Sequence, residues 1–146
     1  MGITSAICNS FKQEILEAEH NFTASTGNTF NLALYDSGAD LSKTTTAYTS
    51  SEEITNTSGS AYSAKGNALT SVTPVLDSDT AICDFADTSW TSASFTARGC
   101  LIFNDSHSSD ASGCAIDFGG DKTVTSGTFT VEFPAAAAAT AIIQIA

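Results

Sequence analysis

Asp105, His107 and Asp110 share one short stretch, with Ser108 and Ser109 between them. A carboxylate beside an imidazole can bind a divalent cation, and a serine beside a histidine can begin a nucleophilic relay. Neither chemistry has the spacing it needs here. A calcium loop requires a mid-loop glycine for its sharp turn and a bidentate glutamate at its end, and this stretch has neither. The Gly-x-Ser-x-Gly turn that exposes a hydrolase nucleophile is absent, and His20 and His107 both sit in contexts poorly suited to a buried general base. The stretch therefore reads as a solvated loop tip, with no metal expected there. Asp117-Phe118-Gly119 matches the metal-binding triplet of protein kinases, but no Gly-rich loop or His-Arg-Asp segment accompanies it. Asp77, Asp79, Asp84 and Asp87 flank a predicted strand, and Glu52 adjoins Glu53. Carboxylate pairs can do acid–base work or hold calcium. In a chain with 16 acidic and five basic residues, such runs read as solvated faces. No catalytic residue, cofactor site or metal ligand is assigned, and the chain is expected not to be an enzyme.

Two further residue types bear on chemistry. Arg98 stands alone among apolar and small residues in a predicted strand. A half-buried guanidinium needs a carboxylate or several carbonyls, so Asp84, Asp87, Asp117 or a neighbouring subunit is expected to meet it. The cysteines Cys8, Cys83, Cys100 and Cys114 form no Cys-x-x-Cys pair, which excludes a zinc ribbon. Four cysteines allow three full pairings, among which sequence cannot choose. Buried free thiols are the expectation.

The elements that must position these residues centre on residues 94–118. Side chains alternate sides along a strand. Phe95, Ala97, Gly99, Leu101 and Phe103 are thus expected on one face, and Thr96, Arg98, Cys100, Ile102 and Asn104 on the other. Gly99 gives its face little cover, so a neighbouring group is expected to approach there. After the polar loop, Cys114, Ile116 and Phe118 alternate again, and the two strands are expected to pair antiparallel with Leu101 and Phe103 buried.

Around this hairpin, Thr4 or Ser5 is expected to cap a helix over about 4–18, with Phe11, Ile15 and Leu16 on its apolar side. Phe30–Tyr35 alternates as a strand, with Phe30, Leu32 and Leu34 inward. From 36 to 64 the chain is rich in Ser, Thr, Gly and Asn, and a short strand is expected near 47–54. Further strands are expected at 67–76, interrupted at Pro74, and at 80–85, 128–133 and 141–145, with a turn over 121–127. Trp90 falls in a loop or bent strand. The sum is a mainly β, single-domain chain of residues 1–146, a β-sandwich or barrel-like fold with one N-terminal helix.

Composition narrows the function classes. A net charge of −11 with scattered basic residues argues against nucleic-acid binding. No apolar run approaches the ~20 residues of a spanning helix, and Met1–Ile7 lacks the basic start and apolar core of a signal peptide. Synthesis and folding in a cytoplasm, without a membrane partner, are expected. The charged fraction of 14% lies below the roughly 25% usual in soluble domains, as suits a surface that a partner covers.

Several segments together resemble small virion structural proteins of tailed bacteriophages: SAICNSFKQEILEAEHNF (5–22), FNLALYDSGADLSKTTTAY (30–48), NALTSVTPVL (67–76), DFADTSWTSASFTARGCLIFND (84–105) and FPAAAAATAIIQIA (133–146). The resemblance implies a part of the particle present in many copies, assembled in the host bacterial cytoplasm and needing no cofactor. A capsid decoration (cement) protein on the outside of the head comes first, with the major capsid protein and copies of itself as partners. A tail- or fibre-associated protein that binds a host surface is the alternative. Phe11, Ile15, Leu16, Arg98, Ile142, Ile143 and Ile145 are the expected interface residues, one of the two chain ends lying in the interface while the other closes the protein's own sheet.

Overall fold

The computed structural model of the protein describes residues 2–55 and 61–146. Strands take 49% and helix only 6%, so interstrand pairing sets the architecture. The elements in chain order are β1 (Ala6–Ile7), α1 (Asn9–Leu16), β2 (Phe30–Tyr35), β3 (Asn67–Ala68), β4 (Ser71–Asp77), β5 (Thr80–Phe85), β6 (Thr88–Asn104), β7 (Ser112–Val131) and β8 (Ile143–Ile145). They form two antiparallel sheets in a β-sandwich-like fold, ordered β1-β7-β6-β2-β3 and β4-β5-β8.

β6 and β7 are the long strands at the centre of the larger sheet, and Leu101 and Phe103 are fully buried in it. The expected antiparallel pairing holds, with Cys100 facing Ile116 and Ile102 facing Cys114. The expected faces do not hold along the whole of β6. Ala97 pairs with Lys122 but Gly99 with Asp117, so residues 118–121 bulge opposite Arg98 alone. A bulge resets the alternation of side chains. Ala97 and Phe95 consequently join Cys100 and Ile102 in one apolar cluster, while Leu101 and Phe103 lie in another on the opposite face. Gly119 turns the bulge with φ +79°. A Cβ on Gly99 would lie 2.4 Å from the Ile116 carbonyl oxygen and 2.8 Å from Ile3 Cδ1, the close approach expected of that glycine.

β2 is buried along its whole length. Phe30, Leu32 and Leu34 join the cluster between the sheets, as expected, whereas Ala33 and Tyr35 pack with Ile3, Ala39, Leu41 and Leu101 on the other face. That second face is covered by the Ser/Thr-rich stretch after β2. The strand expected near 47–54 is absent, and only the single bridges Ala47–Ala111 and Tyr35–Glu53 form. Side chains hold the stretch instead. The buried Glu53 carboxylate accepts hydrogen bonds from Tyr48 Oη (2.5 Å), Tyr62 Oη (2.7 Å) and the Lys65 amide (2.7 Å), and Tyr35 Oη donates to the Thr49 carbonyl (2.7 Å). Residues 56–60 of the expected loop lie outside the described residues.

Three other expectations need correction. The helix is shorter than 4–18: residues 6 and 7 pair with Cys114 and Ala115 as β1, and Cys8 precedes the helix without a side-chain cap. Ladder bonds to β7 win over a helix that is marginal at this length. Ala18, with φ +61°, stops it. The turn expected at 121–127 is part of β7, whose irregular register absorbs the polar residues without leaving the sheet. β8 covers only 143–145, and hydrogen-bonded turns around Ala137 occupy the alanine run. β5 matches its expected bounds, and the ladder between β4 and β5 slips between Val72 and Val75, around Pro74.

Candidate docking surface

Asp105, His107 and Asp110 each have a partner in the fold. Lys65 Nζ bridges Asp105 Oδ1 and Asp110 Oδ2 at 2.9 Å each and lies over the Tyr48 ring. The two carboxylates of the loop thus hold an ammonium and pin the tip of the β6–β7 hairpin to Lys65, three residues after Tyr62. Ser109 Oγ lies 2.9 Å from His107 Nδ1, and His107 Nε2 lies 3.5 Å from Glu19. The order Ser–His–Glu is that of a relay, but the Ser109 amide also donates to Nδ1, at 3.2 Å. The imidazole acts as a turn cap. His20 is buried, with Nε2 2.7 Å from Glu14 and Nδ1 3.1 Å from Asn104 Nδ2. An amide nitrogen only donates, so Nδ1 accepts and the proton on Nε2 faces Glu14. This contact fastens the end of α1 to β6.

Arg98 finds Asp117, one of its expected partners: Nε lies 2.9 Å from Asp117 Oδ1 and Nη1 3.8 Å from Asp121. Asp117 also accepts from the Gly119 amide at 2.9 Å, so the Asp-Phe-Gly triplet closes the bulge in β7. The guanidinium beside it holds the Asp117 carboxyl below its usual range. Cys8, Cys100 and Cys114 are buried free thiols and Cys83 is half-buried. Burial pushes Cys114 up to about 12 and Cys83 to about 11. A thiolate is the reactive form, so these groups are inert at neutral pH.

The helix and the terminal strand leave an apolar surface. Phe11 is buried against His20 and Phe22, with ring centroids 4.7 and 5.9 Å away, and it anchors α1 to the core. Ile15, one turn further along, is half-buried against the same cluster, and Leu16 is 88% exposed. β8 runs beside this helix, with Ile143 buried and Ile145 58% exposed. Ile15, Leu16, Ile143 and Ile145 line a groove of about 280 Å³, floored by Ile7 and Phe11 and edged by Lys12 and Gln144. The expected interface residues of the helix and the terminal strand therefore meet in one place. Arg98 stands apart on β6, opposite the β7 bulge, and Ile142 lines a neighbouring hollow with Ser5 and Ile116.

The groove continues onto the small sheet. Leu76 pairs with Ala81, and Ala81 with Ile145. Directly paired residues project from the same face, so Leu76, which is 73% exposed, extends the strip beyond Ile145. On that face Cys83, Phe85 and Ile143 enter the core cluster, and the strip is the part of the sandwich interior left without cover. Sequence reasoning missed Leu76 because its strand was located but not its partners. The register that places it beside Ile145 joins residues about 70 apart and leaves no local signal. No protein family, curated protein or solved structure matches the chain.

Proposed function

We propose that this chain is a structural protein of a tailed-bacteriophage particle, a decoration protein seated on the outer surface of the head through the strip formed by Leu16, Ile145 and Leu76. The observation that carries the reading is the exposed apolar strip itself. Water-exposed leucine and isoleucine side chains grouped in this way mark an interaction surface, and their burial contributes roughly 25 cal/mol per Å² of apolar area. β8 closes the small sheet by pairing with β5, and α1 is bolted to the core by Phe11 and His20. The strip is therefore rigid, with little ordering entropy left to offset on binding. Repeated over many copies, attachment of this kind stabilises the particle that it covers. Both chain ends contribute to the strip, and β8 also pairs with β5 in the protein's own sheet.

The resemblance of the sequence to virion structural proteins supplies the kind of assembly, and the −11 charge suits an outward face that keeps particles apart. Leu16→Glu tests the reading. Leu16 is nearly bare, so the isolated variant is expected to fold as the wild type does while its occupancy on particles falls. Unchanged occupancy would remove the strip from the attachment site.

A further inference from the structure

We propose that the hollow inside the bend of β7 is a binding site for a small aromatic anion. It lies apart from the strip of Leu16, Ile145 and Leu76 and stands or falls independently of it.

The hollow exists because β7 folds back on itself. Phe118 and Phe129 belong to one strand, and if it ran straight they would be roughly 35 Å apart, yet their ring centroids are separated by 6.3 Å. Two irregularities make the turn. Residues 118–121 bulge opposite Arg98, and further along Ala93 pairs with Gly127 between the pairs Phe95–Val124 and Trp90–Phe129. An extra residue is thus taken up at 91–92 on β6 and at 125–126 on β7, where Ser92 and Ser126 have φ of +50° and +46°. Bulges bend the strands that carry them. Phe118, Phe129 and Val131 line the resulting hollow of about 400 Å³, together with Lys122, Thr130 and Glu132. That volume lies in the range of small-molecule pockets, ~300–1,000 Å³. β1 pairs only with Cys114 and Ala115 of β7, so no described strand covers the outer edge here and the hollow opens to solvent.

Two features select the occupant. The walls are aromatic: the Phe129 ring lies 5.1 Å from Phe95 and is tilted 44° to Phe118, so faces and edges are both offered to a further ring. The charge at the mouth is positive. Lys122 pairs with Ala97, and directly paired residues project from one face. Ala97 is buried between the sheets, so Lys122 shares the face of Phe95 and Phe129. No carboxylate among the described residues lies within ion-pair distance of Lys122, whereas Lys65 and Arg98 each meet two. Glu132 lines the hollow as well, but Val131 and Phe133 on either side of it pack on the core cluster, so its carboxylate turns to the opposite face. An unpaired ammonium beside an aromatic floor suits an anion with a flat apolar body.

The test uses the full chain and anilinonaphthalene sulfonate, an aromatic anion whose emission rises on leaving water. Trp90 is the only tryptophan, its ring centroid lies 6.3 Å from that of Phe129, and its emission should fall by transfer to the bound probe. Lys122 is exposed, so Lys122→Gln should keep the wild-type Tm while weakening the probe about three- to tenfold. Lys122→Arg should retain binding, and added salt should reduce it. Phenylnaphthylamine, which has the same rings without the sulfonate, should not respond to Lys122→Gln. Phe118→Ala should weaken both probes. Unchanged sulfonate binding in Lys122→Gln, an equal loss for the neutral probe, or no saturable binding would overturn the site. A loss in Lys12→Gln with none in Lys122→Gln would place the probe in the groove beside α1 and overturn the assignment as well.

Discussion

Glu53 holds the cover of the larger sheet in place, and its removal is a quantitative test of how that cover is built. Glu53 is 8% exposed, and its carboxylate accepts from Tyr48, Tyr62 and the Lys65 amide. Hydrogen bonds to a charged acceptor contribute about 1.5–3 kcal/mol each when buried, and less where water can replace the acceptor. Tyr48 is half-buried, so part of its bond is recoverable. Glu53→Ala is therefore expected to cost about 2–4 kcal/mol, or a fall in Tm of roughly 6–12 °C in a chain of this size. Glu53→Gln keeps one oxygen for Tyr62 and the Lys65 amide and should cost about 1 kcal/mol. Urea denaturation of both variants gives these values, and limited proteolysis of the alanine variant should begin within residues 36–54. A loss below about 0.5 kcal/mol for Glu53→Ala, the ordinary scatter of surface substitutions, would refute the idea that side-chain bonds to this carboxylate organise the stretch.

Leu101→Ala should cost about 2–5 kcal/mol in the same assay, because the side chain is fully buried, and a near-neutral result would move the centre of the fold elsewhere. Gly66→Ala should destabilise strongly, since φ is +64° and a Cβ there would lie 1.8 Å from the Leu32 carbonyl oxygen; a wild-type Tm would contradict that turn. Deleting 141–146 removes the buried Ala141 and Ile143 and the β5 ladder, so the isolated protein should lose at least about 2 kcal/mol, and unchanged stability would show β8 to be dispensable. Burial raises the folded-state pKa of Cys83 to about 11 and of Cys114 to about 12, against 9.0 when unperturbed. The unfolded chain releases these protons first, so their contribution is complete below pH 9 and is lost as pH rises toward 11–12. Alkaline unfolding should therefore steepen above about pH 9, and Cys83→Ser with Cys114→Ser should flatten it.

Local pattern made much of this fold legible. Phe30–Tyr35 and Thr80–Phe85 alternate or run apolar over the whole of their strands, and β2 and β5 occupy those residues. Pro74 forecast the interruption at β4, and Gly99 the close approach of Ile116 and Ile3. What escaped was set by distant partners. Ala6 and Ile7 belong to a helical pattern until β7 offers a ladder, and the bulge at 118–121 reverses faces that strict alternation assigned. Glu53 was one acid among 16, and only the fold brings Tyr48, Tyr62 and Lys65 around it. For the docking surface, Phe11, Ile15 and Leu16 were visible on one side of a helix and Ile143 and Ile145 at the other end of the chain. Their meeting, and the addition of Leu76, depend on pairings that no local spacing encodes.

The most direct test of the proposed function is a reconstruction of a tailed-phage particle carrying this chain, at a resolution that traces it. The account predicts symmetry-related copies on the outside of the head, with Leu16, Ile145 and Leu76 buried against a neighbouring chain and the acidic surface outward. Copies only at the tail would reassign the protein to host-surface binding. Copies on the head with the strip facing solvent would contradict the central claim.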